Sequence, residues 1–260
     1  MSRPAWLVQL AAGFRLQLAV TRRTPAQLLV IVTAPLFSTI FLSVALHYGS
    51  AHIIDVVVGP GLIGVWAISL DVAASVLSID RWGGQLELFL GTSASLSLVV
   101  LGRILAVSAA GMITFLESWL VARAGFGITV PMEHPALVVL ALLITAVGSA
   151  FTATLLASGF MLSRNLHVFQ NSLSYPIYIL GGIVVPISTL PDWIHPISTA
   201  VYLYWSADLL RNAAGVAHPD RVALDTGMSL GLAVAALAAG VVLTSRFERR
   251  LRVDATAGYG

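Results

Sequence analysis

The sequence has no lysine, although it has 14 arginines among its 260 residues. Without lysine the chain cannot contain the G-x-x-x-x-G-K-[ST] loop, whose lysine reaches the phosphates of a bound nucleotide. The protein therefore does not hydrolyse ATP by that route. If it moves a molecule uphill, the energy comes from a partner or from an ion gradient.

Cysteine is also absent, which excludes disulfides and thiolate metal sites within the chain. Charged residues make up only 10% of the sequence, against about 25% in a typical soluble domain. Hydrophobic residues make up 58%, and the mean hydropathy is +0.91. This composition predicts an integral membrane protein in contact with a lipid bilayer, and the lack of long basic runs argues against a nucleic-acid partner.

Long apolar stretches are what the sequence does contain. A segment of about 20 apolar residues crosses the hydrocarbon core of a bilayer as a helix. Hydropathy predicts six such spans, at residues 26–47, 54–79, 96–121, 136–162, 169–189 and 227–246. We therefore predict an all-α integral membrane protein, in which residues 25–250 form a single six-helix transmembrane domain.

The arginines predict the orientation of these spans. Placing the N-terminus in the cytoplasm leaves only Arg123, Arg211 and Arg221 on the outer side. Such an excess of arginine on one side is typical of the cytoplasmic face. Both termini, including a tail over residues 251–260, are therefore predicted to be cytoplasmic.

Residues 1–24 precede the first span and have an amphipathic pattern. Trp6, Leu10, Phe14 and Leu18 follow one another at a spacing of four, which places them on one face of a helix. We predict a helix that lies at the cytoplasmic interface of the membrane. An ordinary membrane anchor without a partner fits the pattern equally well.

Residues 190–226 form the longest predicted extracytoplasmic segment. The segment is rich in aromatic residues that favour membrane–water boundaries, namely Trp193, Tyr202, Tyr204 and Trp205. We predict short re-entrant helices here that dip into the outer leaflet. Five of the six histidines also lie on the predicted outer side, but their spacing matches no metal-binding motif, and we predict no metal site.

The cytoplasmic connection at about residues 80–93 carries the most informative motif. Gly83 and Gly84 allow a sharp turn after the second span. A short helix can follow, with three apolar residues on one face: Leu86, Phe89 and Leu90. Three charged residues surround this face: Asp80, Arg81 and Glu87. Such a stripe suits a docking element for a partner, and it also suits a helix that rests on the lipid.

This segment resembles the coupling-helix signature of type-2 ABC exporter permeases, an acidic-Arg pair followed by Gly-x-Leu-Glu-x-Leu-Leu-x-Thr-Pro. The residues at matching places are Asp80, Arg81, Gly84, Leu86, Glu87, Phe89, Leu90 and Thr92. Gln85 replaces the usual Thr, and Ser93 replaces the usual Pro.

The last third of the sequence resembles the same family in its order of motifs. It contains a small-residue pair, a proline, Leu-Pro-x-Trp and a late Leu-Arg, at Gly181-Gly182, Pro186, Leu190–Trp193 and Leu210-Arg211. The Asn-Pro-Leu that usually precedes the tyrosine is replaced by Val201-Tyr202-Leu203.

The resemblance implies a permease subunit in a bacterial cell membrane. It would pair with a second permease, identical or homologous, and with two cytoplasmic ATPase subunits that bind ATP and Mg; no cofactor is expected in this chain. ATP hydrolysis is thus expected on a separate chain. The small size and the missing outer domain look most like permeases that export drugs, antibiotics or other amphipathic molecules, while export of lipids or polysaccharides stays open.

Asp71 lies near the middle of the second span, where a carboxylate costs about 2.5–3.5 kcal/mol. It could contact substrate, hydrogen-bond a neighbouring helix or be protonated. Prolines interrupt the second and fifth spans at Pro60, Pro176 and Pro186, and broken helices often line transport pathways. We predict a pathway along the first, second and fifth spans that includes Asp71, Pro60, Pro176 and Pro186.

A proton-coupled secondary transporter that uses Asp71 is the main alternative, followed by a membrane-embedded enzyme and a membrane scaffold.

Overall fold

The structure, a computed structural model, describes residues 4–24, 29–48, 53–82, 95–129, 133–160, 166–184, 187, 190–215 and 219–257. Every regular element in these ranges is helical, and no strand occurs among them. The prediction of an all-α chain is therefore confirmed for this part of the sequence.

The α-helices follow one another along the chain in this order: α1 (Ala5–Arg23), α2 (Leu29–Tyr48), α3 (Ile53–Trp82), α4 (Leu96–Gly111), α5 (Ile113–Leu120), α6 (Pro135–Phe160), α7 (Leu166–Leu180), α8 (His195–Ser198), α9 (Tyr202–Ala214) and α10 (Pro219–Ala257). A π-helical turn, Val121–Gly125, extends α5, and a short 3-10 turn, Asp192–Ile194, precedes α8. Only Met112 separates α4 from α5.

Four helical runs within the described ranges are long and apolar enough to cross a membrane: Ile54–Val76, Leu96–Gly125, Pro135–Gly159 and Arg221–Phe247. They correspond to the second, third, fourth and sixth predicted spans. The first and fifth predicted spans coincide with α2, whose apolar run is the shorter Ile31–Val44, and with α7, which has 15 residues. A helix of that length extends about 22 Å, less than the bilayer core of about 30 Å. A total of six spans therefore stays a prediction.

Helix α3 occupies the centre of the packed helices. Of its apolar run, 83% is buried inside the protein, where α3 contacts α2, α4, α5, α6, α7 and α9. Glycines let α5 come close, because a Cβ on Gly64 would overlap the side chain of Thr114 and one on Gly61 would overlap the ring of Phe115. Helix α10 is the opposite case, since only 17% of its apolar run is buried, as expected of a helix that faces lipid.

Buried hydroxyl groups join neighbouring helices. The oxygens of Ser69 and Ser108 lie 2.7 Å apart and connect α3 to α4. Those of Ser38 and Ser118 lie 2.9 Å apart and connect α2 to α5. Because such bonds between membrane helices contribute about 0.6 kcal/mol each on average, they fix the relative rotation of the helices more than they hold them together.

Helix α1 packs closely against the N-terminal half of α4 at two glycines. A Cβ on Gly13 would overlap the carbonyl of Val99, and a Cβ on Gly102 would overlap the carbonyl of Leu10. Small residues at a helix crossing allow this approach of two backbones. Helix α1 is therefore attached to the helical bundle by specific contacts with α4.

The packed face of α1 overlaps only the middle of the apolar stripe that its sequence pattern predicts, since Leu10 and Phe14 are partly buried and Leu10 packs against the core. Its buried residues are Gly13 and Gln17, and the side-chain oxygen of Gln17 accepts a hydrogen bond of 3.1 Å from Nε of the buried Arg103. In contrast, Trp6 is 54% exposed and Leu18 is 40% exposed. Only the two ends of the stripe are thus exposed, and the interfacial position of α1 stays a prediction.

The predicted outer segment contains the short helices α8 and α9. Helix α9 buries Tyr202, Leu203 and Ala207 and packs against α3, α6 and α10. Trp193 lies exposed in the 3-10 turn before α8. Short helices occur in this segment, while their extracytoplasmic, re-entrant character stays a prediction.

Candidate functional site

A cavity of about 470 Å³ lies between α2, α3 and α7. These helices correspond to the predicted first, second and fifth spans. The wall from α2 is largely aromatic, with Phe37 and Phe41, and the wall from α7 carries Tyr175 and Tyr178. A cavity of about 300–1,000 Å³ with apolar and aromatic walls and a few polar groups is typical of small-molecule sites.

One face of α3 forms the third wall of this cavity. Pro60, Gly64, Ala67 and Asp71 all line it, and their spacings of four, three and four residues place them along the same side of a helix. Asp71 is the only charged residue among the described residues that line the cavity. Its carboxylate is half-buried and forms no hydrogen bond or ion pair with any described residue.

The α7 wall adds polar groups next to its two tyrosines. The Ser174 hydroxyl donates a hydrogen bond of 2.9 Å to the backbone carbonyl of Gln170. The side-chain oxygen of Gln170 is buried and accepts no hydrogen bond from the described residues. Tyr175 is 70% exposed, so its ring can contact molecules outside the chain at the edge of the cavity.

The structure brings together two of the four predicted pathway residues, Asp71 and Pro60. Pro176 lies inside α7 but is exposed and does not line the cavity. Because proline has no backbone N–H, it interrupts the hydrogen bonds of α7 at that point. Pro186 lies outside the described residues.

The predicted coupling segment begins where α3 ends. The backbones of Asp80 and Arg81 belong to the last turns of α3. The other predicted coupling residues lie outside the described ranges, namely Gly84, Leu86, Glu87, Phe89 and Leu90. A single continuous helix thus extends about 14 Å from Asp71 to Asp80, at about 1.5 Å per residue.

A second polar site, which we name the Arg211 clasp, lies at the opposite end of α3. Nε of Arg211 in α9 donates to Asp55 in the first turn of α3 at 2.6 Å, and Nη1 donates to Asp208 at 3.2 Å. Nη2 donates to the carbonyl of Gly182, in the turn after α7, at 2.6 Å. The turn places Gly182 at φ +62°, a conformation that favours glycine. One guanidinium therefore ties α3, α7 and α9 together.

The Arg211 clasp borders a cavity of about 410 Å³ that is also lined by His195 and Tyr204. Burial raises the pKa of the Tyr204 hydroxyl, and the neighbouring Asp208 carboxylate raises it further. The hydroxyl therefore stays protonated in neutral solution. Nε2 of His195 lies 3.0 Å from the carbonyl of Ile187.

Sequence reasoning did not predict the ion pair between Asp55 and Arg211. The signal was present in weak form, since Arg211 is one of only three arginines on the predicted outer side and Asp55 starts the second span on the same side. The two residues are 156 positions apart, and no local periodicity connects positions at that separation.

The described structure is that of a multi-pass membrane protein with a cavity among its helices. A comparison with protein-family models matches residues 8–214 to the ABC-2 type transporter family. The match extends from α1 to the end of α9, and the chain belongs to this family. As a member, it is a membrane component of an ABC transporter, a transport subunit. Neither the comparison with curated proteins nor the comparison with solved structures gives a match.

Proposed function

We propose that this chain is the permease subunit of an ATP-driven exporter, and that the α2–α3–α7 cavity is its share of the substrate pathway. The observation that carries the proposal is the position of Asp71 in the cavity wall, on the helix whose last turns contain Asp80 and Arg81. A force applied at the end of α3 acts directly on the wall of the cavity, because one unbroken helix connects the two.

The energy comes from two separate ATPase subunits that bind ATP and Mg in the cytoplasm. The missing lysine supports this division of labour, since the chain cannot build its own phosphate-binding loop. In the proposed complex, Leu86, Phe89 and Leu90 insert into a groove of an ATPase. The flanking polar residues Asp80, Arg81 and Glu87 pair at the rim of that groove, and Gly84 provides the turn.

A second permease, identical or homologous, closes the open side of the cavity. Two observations support this arrangement: Leu36 on α2 is 64% exposed, and Tyr175 on α7 is similarly exposed beside the cavity. ATP-driven closure of the ATPase subunits then switches the pathway between inward and outward access. This is a two-state rocking motion whose equilibrium ATP shifts.

The cargo that fits the cavity best is a drug, an antibiotic or another amphipathic molecule. The walls from α2 and α7 carry Phe37, Phe41, Tyr175 and Tyr178, which offer apolar and aromatic contacts. The protein works in the cell membrane of a bacterium, with both termini in the cytoplasm.

A proton-coupled secondary transporter is the second candidate, and the half-buried Asp71 favours it. A carboxylate in a membrane-embedded cavity can bind and release a proton during transport. Such a carrier needs no ATPase partner. It predicts that Asp71→Asn abolishes all transport, because the proton site itself is lost.

Transport into inside-out membrane vesicles separates the two candidates. The exporter takes up an amphipathic dye when ATP is supplied, and continues to do so when a protonophore collapses the proton gradient. The secondary carrier shows the reverse dependence. ATP-independent uptake that a protonophore abolishes would therefore overturn the proposed ATP-driven function.

A further inference from the structure

We propose that the α2–α3–α7 cavity binds amphipathic organic cations, with Asp71 as their counter-ion. This inference rests on the proposed function, in which the same cavity is the substrate pathway. It adds the sign of the charge that the cargo carries, which follows from the groups in the cavity wall.

Among the described residues that line the cavity, the charge has one sign. Asp71 supplies a carboxylate, and the described lining residues include no arginine or histidine that would neutralise it. The unpaired side-chain oxygen of Gln170 adds a partial negative charge in the same wall. An anionic cargo would therefore be repelled in a medium that screens charges poorly. A cation would instead provide the partner that the half-buried Asp71 lacks among the described residues.

The aromatic rings of the cavity favour the same class of ligand. Phe37, Phe41, Tyr175 and Tyr178 come from the two walls beside α3. The faces of such rings attract cations, most strongly where water is excluded. Their apolar surface also suits the hydrophobic part of an amphipathic molecule.

The volume of the cavity agrees with a compact organic ion. About 470 Å³ is available between the three helices, which lies within the range of drug-sized ligand sites. Tetraphenylphosphonium is a suitable probe because it combines one positive charge with aromatic bulk. Tetraphenylborate has nearly the same shape and the opposite charge, so the pair isolates the contribution of charge.

The test measures equilibrium binding of radiolabelled tetraphenylphosphonium to the purified complex in nanodiscs of zwitterionic lipid. We expect saturable binding of tetraphenylphosphonium and, in a separate measurement with tetraphenylborate alone, no saturable binding. Asp71→Asn should weaken the affinity about tenfold or more, because it removes the charge while keeping the size of the side chain. Asp71→Glu should retain most of the affinity. The control Asp192→Asn removes the same charge from an exposed outer position and should leave binding unchanged.

The aromatic contribution has its own pair of variants. Tyr175→Leu should weaken tetraphenylphosphonium binding several-fold, and Tyr175→Phe should not, since phenylalanine keeps the ring. The inference is overturned if the unaltered chain and Asp71→Asn bind tetraphenylphosphonium with equal affinity while their thermal unfolding profiles show that both are folded. Equal binding of tetraphenylborate would overturn it as well.

A failure of the cation site can be distinguished experimentally from a failure of the proposed exporter function. If an ATPase co-purifies and ATP drives transport but no tetraphenylphosphonium binds, the cation site is wrong and the exporter stands. If tetraphenylphosphonium binds through Asp71 but its transport follows the proton gradient alone, the cation site stands and the ATP-driven exporter is wrong.

Discussion

Asp71 and Arg211 are both charged side chains on buried helices, and their surroundings differ in kind. Arg211 has its hydrogen bonds satisfied by two carboxylates and a backbone carbonyl. Asp71 has no such partners among the described residues and faces a cavity. A satisfied charge at the end of a helix stabilises a structure, whereas an unsatisfied charge within a membrane cavity points to a ligand. The two residues therefore call for different experiments.

At the residue scale we predict that Arg211→Ala destabilises the protein by about 1–2 kcal/mol. The substitution leaves Asp55 and Asp208 without their cation and removes the donor to Gly182. Arg211→Lys should restore only part of the stability, because one ammonium cannot replace the planar fork of a guanidinium. Thermal unfolding in detergent provides the measurement.

The matched control for the Arg211 clasp is Arg221→Ala, which removes an arginine from an exposed position on the same predicted side. Its effect should stay within about 0.5 kcal/mol. Equal losses of stability for Arg211→Ala and Arg221→Ala would show that the ion pair makes no specific contribution.

At the element scale, the crossing of α1 and α4 depends on two glycines. A Cβ on Gly102 would overlap the carbonyl of Leu10, which belongs to the backbone and cannot rotate away. We predict that Gly102→Ala pushes the helices apart and costs about 1–3 kcal/mol. Thermal unfolding of the detergent-solubilised protein, followed by tryptophan fluorescence, measures the loss.

Gly231→Ala on α10 is the control for this crossing. Apart from Gly231 itself, its two neighbours and the nearby backbone of its own helix, no described atom lies within 4 Å of the position that a Cβ at Gly231 would occupy. Since alanine favours a helix over glycine by about 1 kcal/mol, the control should be neutral or stabilising. A stabilising effect of Gly102→Ala would contradict the close packing of α1 on α4.

Helix α1 also shows why its packing could not be predicted from hydrophobic periodicity. In water an apolar stripe is driven into the core, so the face with Trp6 and Leu18 would be buried. Next to lipid that driving force is absent, and small or polar residues at the crossing determine which face packs. Gly13 and Gln17 are the buried residues of α1. The helix was predictable, but its partner was not, and its packed face includes only Leu10 and Phe14 of the predicted stripe.

The helices around the cavity were predictable to a similar extent. The distribution of apolar and polar residues along the sequence was sufficient to predict helices at α2, α3 and α7, and to single out Asp71 within an apolar run. The meeting of their side chains in one cavity is tertiary information, as is the contact between Asp55 and Arg211. Sequence periodicity reports the faces of one helix and does not report which other helix lies against them.

At the scale of the whole molecule, the proposed second permease makes a prediction about proximity. The chain has no cysteine, so a single introduced cysteine reports one position without background. Leu36→Cys lies at an exposed position of α2, next in sequence to the cavity-lining Phe37. When it is labelled with a thiol-reactive photo-cross-linker in native membranes, it should form a cross-link to a second permease. A product of twice the mass of the chain indicates an identical partner, and a product of another mass indicates a homologous one.

Val234→Cys on the largely exposed α10 is the control, since it is similarly exposed but lies on a different helix, far from Leu36 in sequence. It should remain uncross-linked. Cross-linking from α10 without cross-linking from α2 would mean that the cavity is not shared between two permeases.

We propose that an ATPase drives this chain through the segment after α3. The most direct test purifies the tagged chain from its native membrane in mild detergent and quantifies the ATPase that accompanies it. Leu86→Asp and Phe89→Asp change the predicted docking face. Leu88→Asp makes the same type of change at a position that helical periodicity places on the opposite side.

The account predicts that an ATPase with a phosphate-binding loop accompanies the unaltered chain and Leu88→Asp in stoichiometric amount. The ATPase should be lost from Leu86→Asp and Phe89→Asp, although both variants remain in the membrane. Recovery of the unaltered chain without an ATPase, even after cross-linking, would contradict the account. Equal retention of the ATPase by all three variants would show that it does not dock on the predicted face.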